Sequence, residues 1–374
     1  MFAKNNQISG RQATRLILFD LLGYSALLVP AALSATAGRD GIFSIAIGVV
    51  AGFLYLRILK AVMQEMQGNY GECLIANFGP LLGNILKAGY LLYFLLLAGR
   101  VSSILAELVV NELLEKQFRL ILFIILALVY YGVSGGIEGR ARVYEILFWI
   151  LLITLFGMML FAVPAVDADY WSPVLMESPK EVLSGGYQVF LCISVLFLLP
   201  FLAEYVSEKG QVYRSGKCAL AITGAILGTL YLLLLGLFGE KALATLDYPV
   251  VTMMSRIQIT GGFLKRIDAF MFGIWFFTLY ALINSLIFFA GRLWPMKKRG
   301  ERFWLLGEVA VTFALADVFY HSEVLKNYYE KFFLCVGTPF VIVVSLLVYL
   351  IQRGKKLGSR EKHLERGGVE DETE

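Results

Sequence analysis

The stretch LFDLLGYSALLVPAALSATAGRDG, residues 18–41, decides the fold of this chain. It is apolar and long enough to cross a bilayer, whose roughly 30 Å of hydrocarbon needs about 20 apolar helical residues. Gly23 and Pro30 interrupt it. Because lipid offers no partners to backbone groups, a break is tolerated only where protein or a water-filled cavity supplies them. The stretch therefore predicts a membrane span that borders a solute site.

The composition of the whole chain agrees with a membrane protein. Of its 374 residues, 58% are hydrophobic and 17% are charged, and the mean hydropathy is +0.71. Soluble domains average about 45–50% apolar and about 25% charged residues. A water-soluble fold of this length could not bury so much apolar surface. The polar, basic first 15 residues lead into an apolar run too long for a cleavable signal peptide, so we expect the first span there.

The distribution of apolar residues predicts an all-α integral membrane protein with about ten transmembrane helices. The predicted spans are residues 12–37, 41–63, 83–113, 119–136, 143–165, 184–206, 215–238, 267–292, 303–320 and 332–351. Between the second and third spans, residues 64–82 predict a short interfacial helix. Residues 1–352 are thus expected to form a single polytopic membrane domain. Residues 353–374 are expected to form a charged, disordered cytoplasmic tail.

The orientation follows from the basic residues, which are retained on the cytoplasmic side of membrane proteins. With ten spans and a cytoplasmic N-terminus, 22 of the 33 Lys and Arg residues fall inside and 10 outside. This asymmetry predicts that both termini are cytoplasmic. The densest inner patches, residues 297–302 and 353–366, would face anionic lipid.

A second interruption matches the one in span one. Pro200 lies seven residues after Ile193 in span six, as Pro30 lies seven residues after Gly23. Matching interruptions in spans one and six predict two inverted repeats of five helices, about 11–165 and about 184–351. A solute would then sit at the midplane, where half-helix N-termini favour a carboxylate. Ordinary kinks are the alternative, because Gly and Pro are frequent in membrane helices.

Two charged residues are the best candidates for charge deep within predicted spans, where charge is costly and usually functional. Asp20 is in span one and Arg100 in span three. They could form a buried pair inside the bundle. Alternatively, Arg100 snorkels to the interface and Asp20 sits shallowly near the inner surface.

The sequence offers no chemistry for catalysis, a cofactor or a metal. Its four cysteines are scattered without pair spacing, and its two histidines, His321 and His363, have no partner cluster. It has no phosphate-binding glycine loop and no nucleophile elbow. We therefore expect no enzyme, no cofactor and no nucleic-acid partner, with the lipid bilayer as surroundings.

Several short motifs occur in a characteristic order along the chain. They are QISGRQ at 7–12, the LLG and LLVP pieces of span one, AGRDG at 37–41, SPVL at 172–175 and FLKRIDAFMFGIW at 263–275. In these motifs the chain resembles the B subunits of bacterial spore nutrient germinant receptors, the GerAB-like permeases. That family lies within the amino acid–polyamine–organocation (APC) transporter superfamily. The resemblance implies the LeuT/APC-like fold, with five-plus-five inverted repeats and broken spans one and six.

The resemblance also implies a solute pocket lined by spans one, three, six and eight. Carried residue by residue, the ligand-binding positions are Gly23, Tyr24, Ser25, Tyr93, Leu191, Ser194, Thr278 and Leu282. The chain departs from the family pattern at two of them. Relatives often have Gly-x-Gly at the span-one break, where this chain has Gly23-Tyr24-Ser25, and often an acidic residue near the position of Ser194.

The function implied by the resemblance is sensing. A small nutrient, an amino acid by preference, would bind in the pocket and trigger germination. The expected partners are an A-type and a C-type receptor subunit, and the expected location is the inner membrane of a bacterial spore. Two alternatives are a stand-alone secondary transporter that couples an amino acid to protons or sodium, and an ion pore opened by the ligand.

Overall fold

Helices account for almost all of the chain that the structure describes. The computed structural model describes residues 6–112, 117–256, 267–294 and 297–370. In chain order the helices are α1 (Gly10–Ala37), α2 (Gly41–Glu65), α3 (Tyr70–Glu112), α4 (Phe118–Ser134), α5 (Gly136–Ala162), α6 (Pro179–Ile193), α7 (Leu199–Leu202), α8 (Lys209–Phe238), α9 (Glu240–Leu243), α10 (Pro249–Arg256), α11 (Ile267–Ala290), α12 (Lys298–His321), α13 (Glu323–Phe332) and α14 (Thr338–Glu370). A π turn, Phe333–Gly337, joins α13 to α14, and a 3₁₀ turn, Ser194–Leu198, joins α6 to α7.

The lengths of these helices confirm an all-α membrane protein. Within the described ranges, eight helical segments are long and apolar enough to cross a membrane. One of them, Gly10–Glu65, contains both α1 and α2, and α4 is a shorter apolar helix. Every predicted span thus falls on a helix, while the count of ten crossings stays a prediction.

The outer face of α5 shows why the bundle belongs in lipid. Its exposed side chains Ile146, Trp149, Ile153, Phe156 and Leu160 are 58–74% accessible. They follow one another at intervals of three or four residues and therefore form one apolar stripe along the helix. A stripe of this kind on a monomer in water would be an aggregation site, whereas lipid chains cover it without cost.

The short helix predicted between spans two and three is present as the first part of α3, while its interfacial position stays a prediction. Gly79 has φ of 81° and ψ of 171°, and it separates the helical residues 70–78 from the long remainder of α3. A positive φ is accessible to glycine because it has no Cβ. The chain therefore turns at this residue before it enters the bundle.

The break predicted in span one is wrong. α1 is continuous from Gly10 to Ala37, with Pro30 inside it. Gly23 serves close packing instead, because a Cβ at this position would lie 2.3 Å from Oγ1 of Thr278 on α11. In span six the interruption is present: α6 ends at Ile193, and the 3₁₀ turn precedes the next short helix.

A disordered tail is expected for residues 353–374, of which the structure describes 353–370 as helix, while 371–374 lie outside the described residues. α14 continues through Arg353 as a helix that ends at Glu370. The Lys, Arg, Glu and Leu residues in this part are strong helix formers, and they extend a helix that the membrane segment has already nucleated.

Two distant motifs, AGRDG and SPVL, meet at one end of the bundle. The buried carboxylate of Asp40 accepts hydrogen bonds from the backbone N–H groups of Leu175, at 2.6 Å, and Glu177, at 2.9 Å. The side chain of Arg39 donates to the carbonyl of Ser172. Leu175 has φ of 60°, a conformation that L residues rarely adopt. We call this arrangement the Asp40 clasp, and it holds the loop after α5 against the start of α2.

Replacing Asp40 with alanine should lower the thermal unfolding temperature of the purified protein in detergent. Hydrogen bonds to a charged group contribute about 1.5–3 kcal/mol each, and the alanine variant loses two of them. Asp40→Asn keeps one acceptor oxygen, so its unfolding temperature should fall less than that of Asp40→Ala.

Asp169→Ala is the matched control, because Asp169 is an exposed acidic residue of the same loop. The clasp has no stabilising role if Asp40→Ala unfolds at the same temperature as Asp169→Ala.

Candidate functional site

The eight predicted ligand-binding residues are all buried and come from four elements. Three lie on α1, one on α3, two around the end of α6 and two on α11. Their side chains range in exposure from 0% for Ser25, Ser194, Thr278 and Leu282 to 6% for Leu191. The four elements are those that the resemblance implies. Whether these residues bind a ligand stays a prediction.

One group of these residues forms the contact between α1 and α11. A Cβ on Gly23 would meet Oγ1 and Cβ of Thr278 at 2.3 and 2.5 Å. The two helices therefore approach as closely as a glycine permits. Leu282 is four residues beyond Thr278, so it lies on the same face of α11.

A second group surrounds the ring of Tyr93 on α3. Its ring lies edge-on to Phe197, with centroids 5.1 Å apart, and stacks on Phe333 at 5.6 Å. Its hydroxyl lies 3.5 Å from Oγ1 of Thr338. The ring of Tyr329 in turn stacks on Phe333 at 5.7 Å. We use the name central aromatic cluster for Tyr24, Tyr93, Phe197, Tyr329 and Phe333.

Tyr24 joins this cluster from α1. Its phenol is within electrostatic range of Tyr93, Cys192 and Arg100, and Tyr329 is within range of Tyr24. Ser194 belongs to the same region, because its hydroxyl interacts with that of Tyr93. The structure thus brings Tyr24, Tyr93 and Ser194 together, as the resemblance implies.

In three of the predicted ligand-binding residues, the hydroxyl proton is already donated in a hydrogen bond within the protein. Ser25, Ser194 and Thr278 donate to backbone carbonyls three or four residues earlier, at 2.6, 2.5 and 2.9 Å. A hydroxyl that donates its one proton can still accept through its lone pairs. These groups can therefore receive hydrogen bonds from a donor such as an ammonium group.

Arg100 lies beside the cluster, with a partner that the sequence did not predict. Its guanidinium is 3.4 Å from the carboxylate of Glu330 on α13, and the two side chains are 8% and 52% exposed. The predicted pairing of Arg100 with Asp20 is therefore wrong, whereas snorkelling of Arg100 toward the interface stays a prediction. A guanidinium has five N–H donors, so this single contact leaves others for a ligand.

Asp20 occupies a different polar site. It is 3% exposed, and its two carboxylate oxygens lie 2.9 and 2.8 Å from the hydroxyl of Ser285 on α11. Arg140 of α5 donates to the same hydroxyl. Ser285 therefore joins the buried carboxylate of Asp20 to the buried guanidinium of Arg140, and a shallow position for Asp20 in the membrane stays a prediction. A cavity of about 10 Å³ beside Asp20 is bordered by Val195 and Leu198 of the 3₁₀ turn.

Sequence reasoning missed the residues that complete these sites. Arg140 lies between the fourth and fifth predicted spans, outside both. Tyr329 and Glu330 precede the predicted last span, although α13 leads into it through a π turn. A charged or aromatic residue just outside a span is a weak signal, since most such residues contact lipid headgroups.

The comparisons of this sequence with known proteins agree on one group of relatives, the spore germination proteins. The profile of a family described as "Spore germination protein" matches residues 7–320. Spore germination protein B2 of Bacillus subtilis (strain 168) is 24% identical over 383 residues, covering 95% of this chain and 100% of the relative. Spore germination protein A2 of the same strain is 22% identical over 278 residues, covering 72% of this chain and 76% of the relative.

Among solved structures, a Na⁺-coupled sialic acid symporter in a substrate-bound, outward-open state has a similar fold. Its TM-score is 0.63 at 12% sequence identity, and the match covers 90% of this chain and 78% of the symporter. At this identity the likeness shows the fold alone. It confirms the LeuT-like class predicted from the sequence.

Replacing Gly23 with alanine should destabilise the protein by about 1–3 kcal/mol, the usual cost of overpacking. The new Cβ would meet both Thr278 and the backbone nitrogen of Leu279, the latter at 3.1 Å. Thr278→Gly removes the closest atoms, so the double variant should recover part of the loss in thermal unfolding.

Gly157→Ala is the control for this experiment, because no atom lies within 4 Å of a Cβ at Gly157 in α5. This variant should be neutral or slightly stabilising, since alanine favours helix. Equal unfolding temperatures for Gly23→Ala and Gly157→Ala would contradict the tight contact.

Proposed function

The chain belongs to the spore germination protein family, and from this we propose that it is a membrane subunit of a spore nutrient germinant receptor. In this proposal a small nutrient binds at the central aromatic cluster. The bound nutrient favours one of two arrangements of the bundle, and a ligand can do this only if it binds the two arrangements with different affinity.

An amino acid is the class of nutrient that the cluster suits best. The observation that carries this choice is the buried Arg100 guanidinium, which lies within electrostatic range of Tyr24 and is paired with Glu330 next to Tyr329. Arginine binds carboxylates in a planar, two-point geometry. An ammonium group has an acceptor in the hydroxyl of Ser194, and tyrosine faces attract cations. A zwitterion therefore finds both of its charges matched.

The receptor proposal includes partners and a location. Relatives bear the names spore germination protein B2 and spore germination protein A2. We place the chain with an A-type and a C-type subunit in the inner membrane of the spore, with both termini cytoplasmic. The basic residues support this orientation, since 22 of the 33 fall on the cytoplasmic side.

A second candidate function is amino acid transport coupled to protons or sodium. The similarity to a Na⁺-coupled symporter favours it. Purified protein in liposomes distinguishes the two functions. Accumulation of a labelled amino acid under an ion gradient supports transport, whereas binding without accumulation supports a receptor.

Deletion of the gene should abolish germination in response to at least one nutrient, and the wild-type gene should restore it. Each spore preparation is tested against a panel of single amino acids and sugars, with the loss of optical density as readout. Undiminished germination with every nutrient would contradict the receptor proposal.

Arg100→Gln should raise the amino acid concentration needed for half-maximal germination by about 10–100-fold. A hydrogen-bonded contact to a charged group contributes about 1.5–3 kcal/mol, and each 1.4 kcal/mol is tenfold in affinity. Arg100→Lys keeps the charge without the planar geometry. Its half-maximal amino acid concentration should therefore lie between those of the wild type and Arg100→Gln.

Arg142→Gln is the control, because Arg142 has a 54% exposed side chain paired with Glu138 on the surface of α5. Protein levels in spores are compared by immunoblot. An unchanged nutrient response of Arg100→Gln at normal protein level would remove Arg100 from the site.

A further inference from the structure

A group of basic residues lies in the last turns of α2 and the first turns of α8. Arg57 and Lys60 belong to α2, and Arg214 and Lys217 belong to α8. Lys60 is half-buried, and the other three side chains are exposed. We call these four residues the α2–α8 basic patch.

The ring of Tyr213 on α8 joins the two halves of this patch. The ammonium group of Lys60 lies 4.9 Å from the ring centroid, and the ammonium group of Lys217 lies 5.6 Å from it. Both distances are within the range of cation–π attraction. Two ammonium groups from different helices are thus held at one side chain, although their charges repel each other.

The protein leaves the charge of the patch uncompensated. Among the described residues, no carboxylate forms an ion pair within 4.0 Å with any of its four cations. Two carboxylates near these helix ends are engaged elsewhere. Glu65 is paired with Lys356 at 2.6 Å, and Glu208 accepts a hydrogen bond from Gln211 at 3.1 Å. An anion from outside the chain would therefore relieve the repulsion within the patch.

Close packing places the exposed faces of α2 and α8 side by side. A Cβ on Gly224 of α8 would lie 2.9 Å from Cγ2 of Val49 on α2. A Cβ on Gly52 of α2 would lie 3.1 Å from Cδ2 of Leu220 on α8. As the contacts advance along α2 they go back along α8, so the two helices are antiparallel neighbours. Their cations therefore meet at one end of the pair.

Beyond the patch, the exposed faces of both helices become apolar. The exposed residues recur every three or four positions, which places them on one side of each helix. They are Val50, Leu54 and Arg57 on α2, and Lys217, Ala221 and Ala225 on α8. The short alanine side chains leave room for an acyl chain along α8. Each face thus runs from apolar residues within the span to cations at its end.

We propose that the α2–α8 basic patch binds the phosphate group of an anionic phospholipid, whose acyl chains lie along the two apolar faces. Ammonium and guanidinium groups form strong, charge-assisted hydrogen bonds with phosphate oxygens. In the orientation proposed above, this end of the bundle is cytoplasmic, and anionic lipids of that leaflet attract Lys and Arg residues. An acidic protein segment would match the charge alone, whereas a lipid matches both the cations and the apolar faces.

The test uses the full-length protein in a neutral detergent, with bound lipid measured by native mass spectrometry. The probes are phosphatidylglycerol and cardiolipin, which are anionic, and phosphatidylcholine, which is zwitterionic. We expect both anionic lipids to bind more tightly than phosphatidylcholine. Tighter binding of cardiolipin than of phosphatidylglycerol would support the proposal further, because cardiolipin offers a second phosphate to the four cations.

The variant Lys60→Gln/Lys217→Gln should bind phosphatidylglycerol about 10–30-fold more weakly, because each basic residue near a membrane surface contributes about fivefold in affinity. Lys60→Arg/Lys217→Arg keeps both charges and should bind as the wild type does. Lys180→Gln/Lys241→Gln is the matched control. It removes the same charge from exposed lysines at the opposite end of the helix pair, and it should also bind as the wild type does.

Cys218 allows the lipid to be located, because it is exposed and directly follows Lys217. Cys335→Ser removes the other exposed cysteine of the described residues. A fluorophore is then attached to Cys218, and the protein is placed in lipid nanodiscs. Nitroxide-labelled phosphatidylglycerol should quench it more than nitroxide-labelled phosphatidylcholine does. Lys60→Gln should reduce this difference.

Three results would overturn the proposal. They are equal affinity for phosphatidylcholine and phosphatidylglycerol, wild-type affinity in Lys60→Gln/Lys217→Gln, and equal quenching at Cys218 by the two labelled lipids. The patch would then be assigned to an acidic segment of a partner protein. These variants leave Arg100 and the central aromatic cluster intact, so a failure of lipid binding would not affect the receptor proposal.

Discussion

A charge inside a bilayer must be compensated by the protein, and this constraint organises the bundle. Lipid chains cannot hydrogen-bond or shield a charge, so each buried ion needs a partner on another helix. Asp20 of α1 reaches Arg140 of α5 through a hydroxyl of α11. Arg100 of α3 reaches Glu330 of α13. The charged residues therefore act as cross-links between helices that are far apart in sequence.

The sequence predicts the helices well because the bilayer imposes a length and an apolar composition on each span. It does not predict how the helices meet. A glycine in an apolar run is compatible with a break and with a close contact, and only the position of Thr278 on α11 decides between them for Gly23. Likewise, the sequence suggests an ion pair between Arg100 and Asp20 because both residues lie in predicted spans. The observed partner of Arg100, Glu330, lies outside the predicted spans.

The candidate site was predictable in part, through resemblance to a family. The eight positions carried over are buried in the four expected elements, and Tyr24, Tyr93 and Ser194 come together. Two of the aromatic rings that complete the cluster, Phe197 and Phe333, come from the turns after α6 and α13. Irregular backbone of this kind has no simple periodicity, so sequence patterns do not reveal which side chains it directs inward. The ligand-binding role of the eight positions stays a prediction.

The π turn between α13 and α14 adds a residue to the helix without redirecting the side chains on either side of it. A π turn accommodates an extra residue locally, because its five residues turn through about the same angle as four α-helical residues at about 100° each. Deleting one residue from Phe333–Gly337 would therefore restore a regular helix and leave α13 at nearly the same rotation relative to α14. Tyr329 and Glu330 would still be directed at the cluster and at Arg100. The turn is thus a place where the chain can change its length by one residue and keep both contacts.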